Sequence, residues 1–80
     1  MDIGKIYFLH APNGTEFYGR IKSINLEAQR FNAELLLPVD NAATTFVGTS
    51  DVRCMDIGWF SATEIMEGYV LPQLKLAIPQ

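Results

Sequence analysis

The dipeptide Asn13-Gly14 lies between two runs of alternating apolar and polar residues, KIYFLHAP and TEFYGRIK. Asn-Gly in that position is the strongest short-range signal of a β-hairpin, because both residues readily adopt the positive φ angles of a two-residue type I′ turn. The turn constrains the fold more than any other feature, since its length fixes which strand residues stand opposite each other. A two-residue turn predicts that Phe17 lies opposite His10 and that Gly19 lies opposite Phe8.

This register divides the predicted hairpin into two faces. The face expected to pack in the core consists of Ile6, Phe8, His10, Phe17, Gly19 and Ile21. The opposite face carries aromatic and basic side chains and consists of Lys5, Tyr7, Leu9, Tyr18, Arg20 and Lys22. We expect this second face to be a binding surface, the alternative being the ordinary solvent-exposed face of an antiparallel sheet.

The chain from there to residue 55 has the patterns of strands. Apolar residues change parity at Ser23, which predicts a β-bulge that bends the second strand. Residues 31–39, FNAELLLPV, alternate with period two and predict a third strand, although the good helix formers in residues 25–37 favour a helix as the alternative. Residues 44–55, TTFVGTSDVRCM, have the composition of a strand, and Gly48 with Ser50-Asp51 predicts a bulge or tight turn within it.

The stretch MDIGWFSATEIMEG, residues 55–68, contains the signals of a short helix. Ser61 and Glu64 have the spacing of a capping box, and Phe60 and Ile65 have the spacing of a hydrophobic staple. Gly68 stands where a glycine commonly ends a helix. These signals predict a helix of under two turns at about residues 61–67.

Residues 73–79, QLKLAIP, alternate in the manner of a last strand that ends at Pro79. The chain is thus expected to be one mainly β domain, residues 1–80. We predict a small, strongly bent antiparallel sheet or SH3-like barrel of about five strands, with the short helix before the last strand. The layout resembles SH3-like barrels in fold alone, and an analogy at that level implies nothing about function.

The composition indicates an interface. Hydrophobic residues make up 49% of the chain and charged residues 19%, below the ~25% that is usual in soluble domains. Part of the apolar surface is therefore expected to lie against another subunit or a protein partner, the alternative being a small β domain that is simply rich in apolar residues. The net charge of −3 argues against general binding of nucleic acid or anionic membranes, without excluding a local basic patch.

Nothing in the sequence marks a catalytic, metal or cofactor site. His10 is the one histidine and is expected as a partly buried, hydrogen-bonded residue at the rim of the sheet, with a general base or ligand as the alternative. Cys54 is the one cysteine, which excludes an internal disulfide and a multi-cysteine zinc site, and it is expected as a buried thiol. The sequence has neither a signal peptide nor an apolar run of membrane-spanning length, so we expect a cytoplasmic protein.

These observations favour a small non-enzymatic interaction domain that forms homo-oligomers or binds another protein. Its expected binding residues are Tyr7, Leu9, Tyr18, Arg20, Lys22 and Trp59. Trp59 is either a core residue, which its apolar bulk favours, or an exposed anchor. One alternative function is binding of single-stranded nucleic acid through the first hairpin, where tyrosines stack on bases and cations contact phosphates. The other is an enzyme whose site forms between identical subunits and carries His10 or Asp51.

Overall fold

The computed structural model describes residues 1–72, which form six β-strands in one sheet. In chain order the strands are β1 (Ile6–His10), β2 (Glu16–Asn25), β3 (Arg30–Pro38), β4 (Thr45–Asp56), β5 (Ser61–Glu64) and β6 (Tyr69–Val70). They lie in the order β5-β1-β2-β3-β4-β6, and every pair is antiparallel except β4 with β6. The sheet curls into a half-barrel, which confirms the prediction of a mainly β domain with a strongly bent sheet. The predicted last strand at residues 73–79 lies outside the described residues.

The first hairpin turns through three residues instead of two. The Ala11 N–H donates to the Thr15 carbonyl at 2.9 Å and the Gly14 N–H donates to the Ala11 carbonyl at 3.0 Å, so the loop is Pro12, Asn13 and Gly14. Of these three residues only Gly14 has a positive φ, at 91°. The loop is therefore a type I turn followed by a glycine bulge. Pro12 favours it, because proline suits the second position of a type I turn.

The longer turn shows that the predicted register is wrong by one residue. His10 pairs with Glu16, and Phe8 pairs with Tyr18 instead of Gly19. A one-residue shift moves the side chains of one strand to the other face relative to its partner. The predicted division of the hairpin into a core face and a binding face is therefore wrong as well, and each true face carries residues of both predicted sets.

Each face of the curled sheet has its own apolar cluster. The first cluster has Tyr7, Leu9, Ile21, Phe31 and Ala33 buried, with Phe17, Ile24, Met55, Ile57 and Phe60 packed against them. The second cluster has Ile6, Leu36 and Phe46 buried, with Tyr18, Ile65 and Val70 packed against them. The clusters lie on opposite faces because neighbouring strand residues, such as Ile6 and Tyr7, point to opposite sides of a sheet.

Residues 61–67 contain no helix, so the helix prediction is wrong: Ser61–Glu64 is strand β5 and pairs with β1. The Ser61 hydroxyl, predicted as a helix cap, donates across this strand pair to the His10 carbonyl at 3.3 Å. Phe60 packs in the first cluster and Ile65 in the second, so they do not form the predicted staple. A capping residue contributes only about 1 kcal/mol, whereas pairing with β1 satisfies the backbone of a whole segment and lets both apolar side chains be buried.

Two bulges bend the central strands. The pairing of β2 with β3 shifts between Ile21 and Ser23, as the change of parity predicts, and β3 is a strand and not a helix. The pairing of β3 with β4 shifts between Glu34 and Leu36, near Ser50, which has a φ of 64°. The predictions for these segments are confirmed, and such bulges bend and twist the strands that contain them.

Residues 65–68 cross over the second cluster on the way from β5 to β6. The Ile65 N–H donates to the Ile6 carbonyl at 2.9 Å. A Cβ atom at Gly68 would come within 2.8 Å of Ile6 Cδ1, so the backbone passes directly over that side chain. This crossing covers one part of the second cluster and brings the chain to the outer side of β4.

Strand β4 is much longer than its outer partner. β6 pairs with it only at Thr45 and Phe46, and the Leu71 N–H donates to the Phe46 carbonyl at 2.9 Å. Among residues 1–72, no strand lies beside the outer side of residues 47–56, which we call the β4 edge. Such an edge presents backbone N–H and C=O groups that can hydrogen-bond to another strand.

Candidate functional site

A groove lies on the face of the first cluster, alongside β4. Its volume is about 630 Å³, which is within the usual range of binding clefts. We call it the aromatic groove; it is lined by Phe17, Trp59 and Phe60, by Arg30 and Arg53, and by residues 54–56 of β4. The groove thus combines apolar rings, planar cations and one flank of the longest strand of the sheet.

The rings of the groove are held by edge-to-face contacts. The Phe17 and Phe60 ring centroids are 5.8 Å apart at an interplanar angle of 84°. Phe60 makes a similar contact with Phe31, at 6.3 Å and 86°. Edge-to-face pairs of this kind are favourable beyond their burial. Because β5 begins at Ser61, directly after Phe60, the strand pairing with β1 fixes the position of this ring.

Trp59 stands at the rim of the groove. The Asp56 carboxylate accepts the Gly58 N–H at 2.8 Å and the Asp56 carbonyl accepts the Trp59 N–H at 3.2 Å, so a tight turn follows β4. This turn holds the tryptophan with 48% of its surface exposed. The expectation of a core tryptophan is therefore wrong, and the exposed anchor stays a prediction. Tryptophan is among the residues that most often dominate the energy of protein interfaces.

Two arginines form the polar side of the groove. The Arg53 guanidinium carbon lies 5.8 Å from the centre of the Phe17 ring, and its Nη2 donates to the Asp51 carboxylate at 3.1 Å. Arg30 Nη2 donates to the Cys54 carbonyl at 3.2 Å. Both members of the Arg53–Asp51 pair are about half exposed, so the pair adds little to stability. The guanidinium groups are placed to stack on rings or to bind carboxylates of a partner.

The residues predicted as the binding face do not share a surface. Tyr7 and Leu9 are buried in the first cluster. Tyr18 and Arg20 belong to the opposite face, and Lys22 is exposed at the bulge of β2. The prediction of a single hairpin face for protein or nucleic acid is therefore wrong, because the shifted register separates Tyr7 and Leu9 from Tyr18 and Arg20.

On that opposite face, Tyr18 and Arg20 have structural partners. The Tyr18 ring centroid lies 5.2 Å from that of Phe8 and 5.0 Å from that of Phe46. Arg20 Nη2 donates to Glu34 Oε1 at 2.8 Å, and the Glu34 side chain is only 9% exposed. The hydrogen bond from Arg20 and its charge lower the pKa of Glu34, against the opposing effect of burial. Tyr18 and Arg20 therefore stabilise the packing of this face.

Hydrogen bonds account for the two carboxyl groups whose pKa values are clearly shifted. Glu34 is one of them. The pKa of Asp40 is lowered by the Thr45 N–H and then by the Thr44 hydroxyl, both of which donate to its carboxylate in the turn before β4. Lowered pKa values are typical of structural carboxylates, whereas a general acid at neutral pH needs a raised one. Neither group marks a catalytic site.

His10 is hydrogen-bonded at the end of the hairpin, as the sequence predicts, although it is exposed and not partly buried, whereas Cys54 does not match its prediction. The His10 Nδ1 lies 2.8 Å from Glu16 Oε2, and both side chains are about half exposed. Cys54 is exposed, so the prediction of a buried thiol is wrong; Cys54 lies near the end of the long strand β4, on the β4 edge, which no other strand of residues 1–72 covers. Residues 1–72 contain no group of three or more His, Cys, Asp or Glu side chains arranged to hold a metal ion.

Most of the groove could not be found from sequence. Phe17 is correctly predicted to face the core. The sequence places Arg53 and Met55 on one face of a predicted strand but does not indicate that they line a groove. Phe60 reaches Phe17 only because β5 pairs with β1, and the sequence predicts a helix there. The one available signal is the density of large apolar residues in MDIGWF directly after β4.

Comparison with protein-family models gives no match, and searches of curated proteins and of solved structures give no significant similarity. Residues 1–72 contain no helix that is long and apolar enough to cross a membrane. The aromatic groove and the β4 edge beside it are therefore the features of the molecule that bear on function.

Proposed function

We propose that this chain is a small non-enzymatic interaction domain that self-associates through the aromatic groove and the adjacent part of β4. The observation that carries the proposal is the position of Trp59, half exposed at the rim of a groove that runs beside the β4 edge, which has no neighbouring strand among residues 1–72. A large ring so placed loses contact with water when a partner covers it, which favours association.

The apolar surface of the described residues supports a partner. Large apolar side chains that remain exposed include Leu26, Leu37, Val39, Val52 and Trp59. Because the fold is a single curled sheet with a cluster on each face, no second layer covers these side chains within residues 1–72. The low share of charged residues, 19%, agrees with a surface that is partly covered in the functional state.

The chemistry of the groove also suits a protein partner. Interfaces are enriched in tryptophan, phenylalanine, methionine and arginine, and the groove has all four in Trp59, Phe17, Met55 and Arg53. Arg53 is already neutralised by Asp51, so the groove has no strong excess of positive charge. A second copy of the chain, itself rich in exposed apolar side chains, is the partner that we propose.

Sedimentation equilibrium together with intrinsic fluorescence tests this function. Trp59 is the only tryptophan, so its emission reports on the groove alone. We expect the average mass to rise from monomer towards dimer between micromolar and millimolar concentrations, with a blue shift of the emission over the same range. A Met66→Lys variant is the matched control, because Met66 is 81% exposed and lies in the crossing over the other face. A protein that stays monomeric with unchanged emission at millimolar concentration contradicts the proposal.

A second candidate function is binding of single-stranded nucleic acid in the same groove. It is favoured by the stacking of Arg53 on Phe17 next to Trp59, since such proteins combine aromatic platforms with cations. The net charge of −3 opposes it. Titration with a single-stranded oligonucleotide at low salt then gives quenching of Trp59 that weakens as salt is raised. Unchanged fluorescence at low salt removes this candidate.

The compartment is a further part of the proposal. Cys54 is exposed and the chain has no second cysteine to pair with it. Such a thiol is best preserved in a reducing compartment, so we infer a cytoplasmic location.

A further inference from the structure

The backbone of β4 has a definite set of groups on its outer side. The Ile57 N–H donates to the Gln29 carbonyl at 2.9 Å, towards the β3 side of the strand. Backbone groups alternate in direction along a strand. The N–H and C=O groups of Arg53 and Met55 therefore also point towards β3, and those of Val52, Cys54 and Asp56 point outwards. These three residues form the regular part of the β4 edge, beyond the bulge at Ser50.

We propose that a second copy of this chain adds to the β4 edge by antiparallel pairing of β4 with β4, around a two-fold axis at Cys54. The inference rests on the proposed self-association and names its geometry. A two-fold axis perpendicular to the joined sheet brings the same segment of each copy together, as isologous dimers require.

The bulge, the charges and the length of the regular segment of β4 together limit the position of the axis. In a two-fold pairing, one residue lies on the axis and faces itself. An axis at Asp51 or at Arg53 would place two like charges directly opposite each other, which is unfavourable. An axis at Val52 would pair Cys54 with Ser50. Ser50 does not have the extended conformation that such a pair requires, because its φ is 64°, and its backbone N–H already donates to the Glu34 carboxylate. An axis at Val52 is therefore unfavourable.

An axis at Cys54 uses the whole regular segment, because Cys54 is its middle residue. Val52 of each copy then faces Asp56 of the other, and Cys54 faces Cys54. Each of these three outward pairs exchanges two backbone hydrogen bonds, giving about six in all. The Arg30 contact on the Cys54 carbonyl, at 3.2 Å, is exchanged for one of them.

The side chains are compatible with this register. On the groove side, Arg53 of each copy lies opposite Met55 of the other, so the two aromatic grooves meet at the axis. The two Arg53 side chains approach each other diagonally across the axis. Each is neutralised by the Asp51 carboxylate of its own copy, at 3.1 Å, so their repulsion is weak. On the other side, Val52, 51% exposed in one copy, is covered by the second. The edge therefore complements a second copy of itself in hydrogen bonding and places no like charges directly opposite each other.

Thiol cross-linking tests the proposal on the full chain. Opposite Cα atoms of a hydrogen-bonded antiparallel pair are about 5.5 Å apart, within the reach of a disulfide. Mild oxidation of the unmodified protein at associating concentrations is expected to give a Cys54–Cys54 dimer. The matched control is Val52→Cys in a Cys54→Ser background, on the same strand face and similarly exposed. Its two thiols would be separated by about four residues, or ~13 Å along the strand, and should cross-link at least ~10-fold less.

A second variant covers the case in which strain in the Cys54 pair prevents the disulfide. Val52→Cys with Asp56→Cys, again with Cys54→Ser, places thiols opposite each other twice and is expected to cross-link. A protein that associates but cross-links equally at position 52 alone and at 54 overturns the edge geometry and leaves self-association standing. A protein that does not associate overturns both. A Cys54 thiol that is unreactive towards iodoacetamide in dilute monomer means that the edge is already covered within one copy, which also overturns the inference.

Discussion

Replacement of Trp59 by alanine is the mutation that bears most directly on the proposed self-association. Trp59 is 48% exposed, and a tryptophan presents about 250 Å², so roughly 120 Å² are available to a partner in each copy. If the second copy covers half of that area, the two tryptophans of a dimer together lose about 120 Å² of contact with water. At about 25 cal/mol per Å² this is worth about 3 kcal/mol, or a dissociation constant weakened about 100-fold.

Sedimentation equilibrium of Trp59→Ala beside the unmodified protein measures this change. The fold should tolerate the substitution, because Trp59 belongs to neither apolar cluster, and circular dichroism with urea unfolding checks that point. Trp59→Phe, which keeps a ring at the rim, is expected to weaken association by about 10-fold or less. If Trp59→Ala associates as tightly as the unmodified protein, the tryptophan is not covered by the second copy and the reasoning about the groove is refuted.

Three further predictions concern the edge, the turn and the buried ion pair. Val52→Glu is expected to weaken association by at least ~10-fold without loss of stability, because the proposed pairing places the new carboxylate directly opposite Asp56 of the second copy; sedimentation and urea unfolding separate the two effects. Gly14→Ala should lower stability by about 1 kcal/mol, or ~4–8 °C in Tm, because alanine is strained at a φ of 91°, whereas Gly58→Ala, at a position without positive φ, should be nearly neutral in the same calorimetric scan. Glu34→Gln should cost about 1 kcal/mol at neutral pH, since a charge-assisted bond to Arg20 becomes a neutral one. Because the pKa of Glu34 is lowered on folding, its stabilising effect is present above its ordinary value of 4.5 and is lost as the pH falls through the folded value. Urea unfolding at several acidic pH values should therefore show a smaller loss in Glu34→Gln than in the unmodified chain; equal losses contradict that assignment.

Local patterns predict the strands of this fold well. The alternation in residues 31–39 outweighs their helix-forming composition, and the parity change at Ser23 becomes a bulge. In both cases the signal reflects burial on one side of a pleated sheet, which the neighbouring strands impose. The helix prediction is wrong because it depends on local signals. The capping pattern of Ser61 and Glu64 involves neighbouring residues only, whereas the pairing of this segment with β1 joins distant parts of the chain.

Pro12 is the main reason why the candidate site cannot be predicted from the hairpin. Pro12 makes the turn one residue longer than Asn13-Gly14 alone implies, and this moves Tyr7 and Leu9 from the predicted binding face into the core. The groove itself joins β2, the end of β4 and the start of β5. These segments meet only through the curl of the sheet, so no spacing in the sequence indicates it.

Amide hydrogen exchange of β4, measured by NMR at low and high protein concentration, shows whether this strand joins two copies of the chain. The Met55 N–H points towards β3 and should be protected at both concentrations, whereas the Val52, Cys54 and Asp56 N–H groups point outwards. These three N–H groups are expected to exchange rapidly in the dilute protein and to become protected together as the protein associates. If they exchange equally fast at both concentrations while the protein is shown to associate, β4 is not the strand that joins two copies.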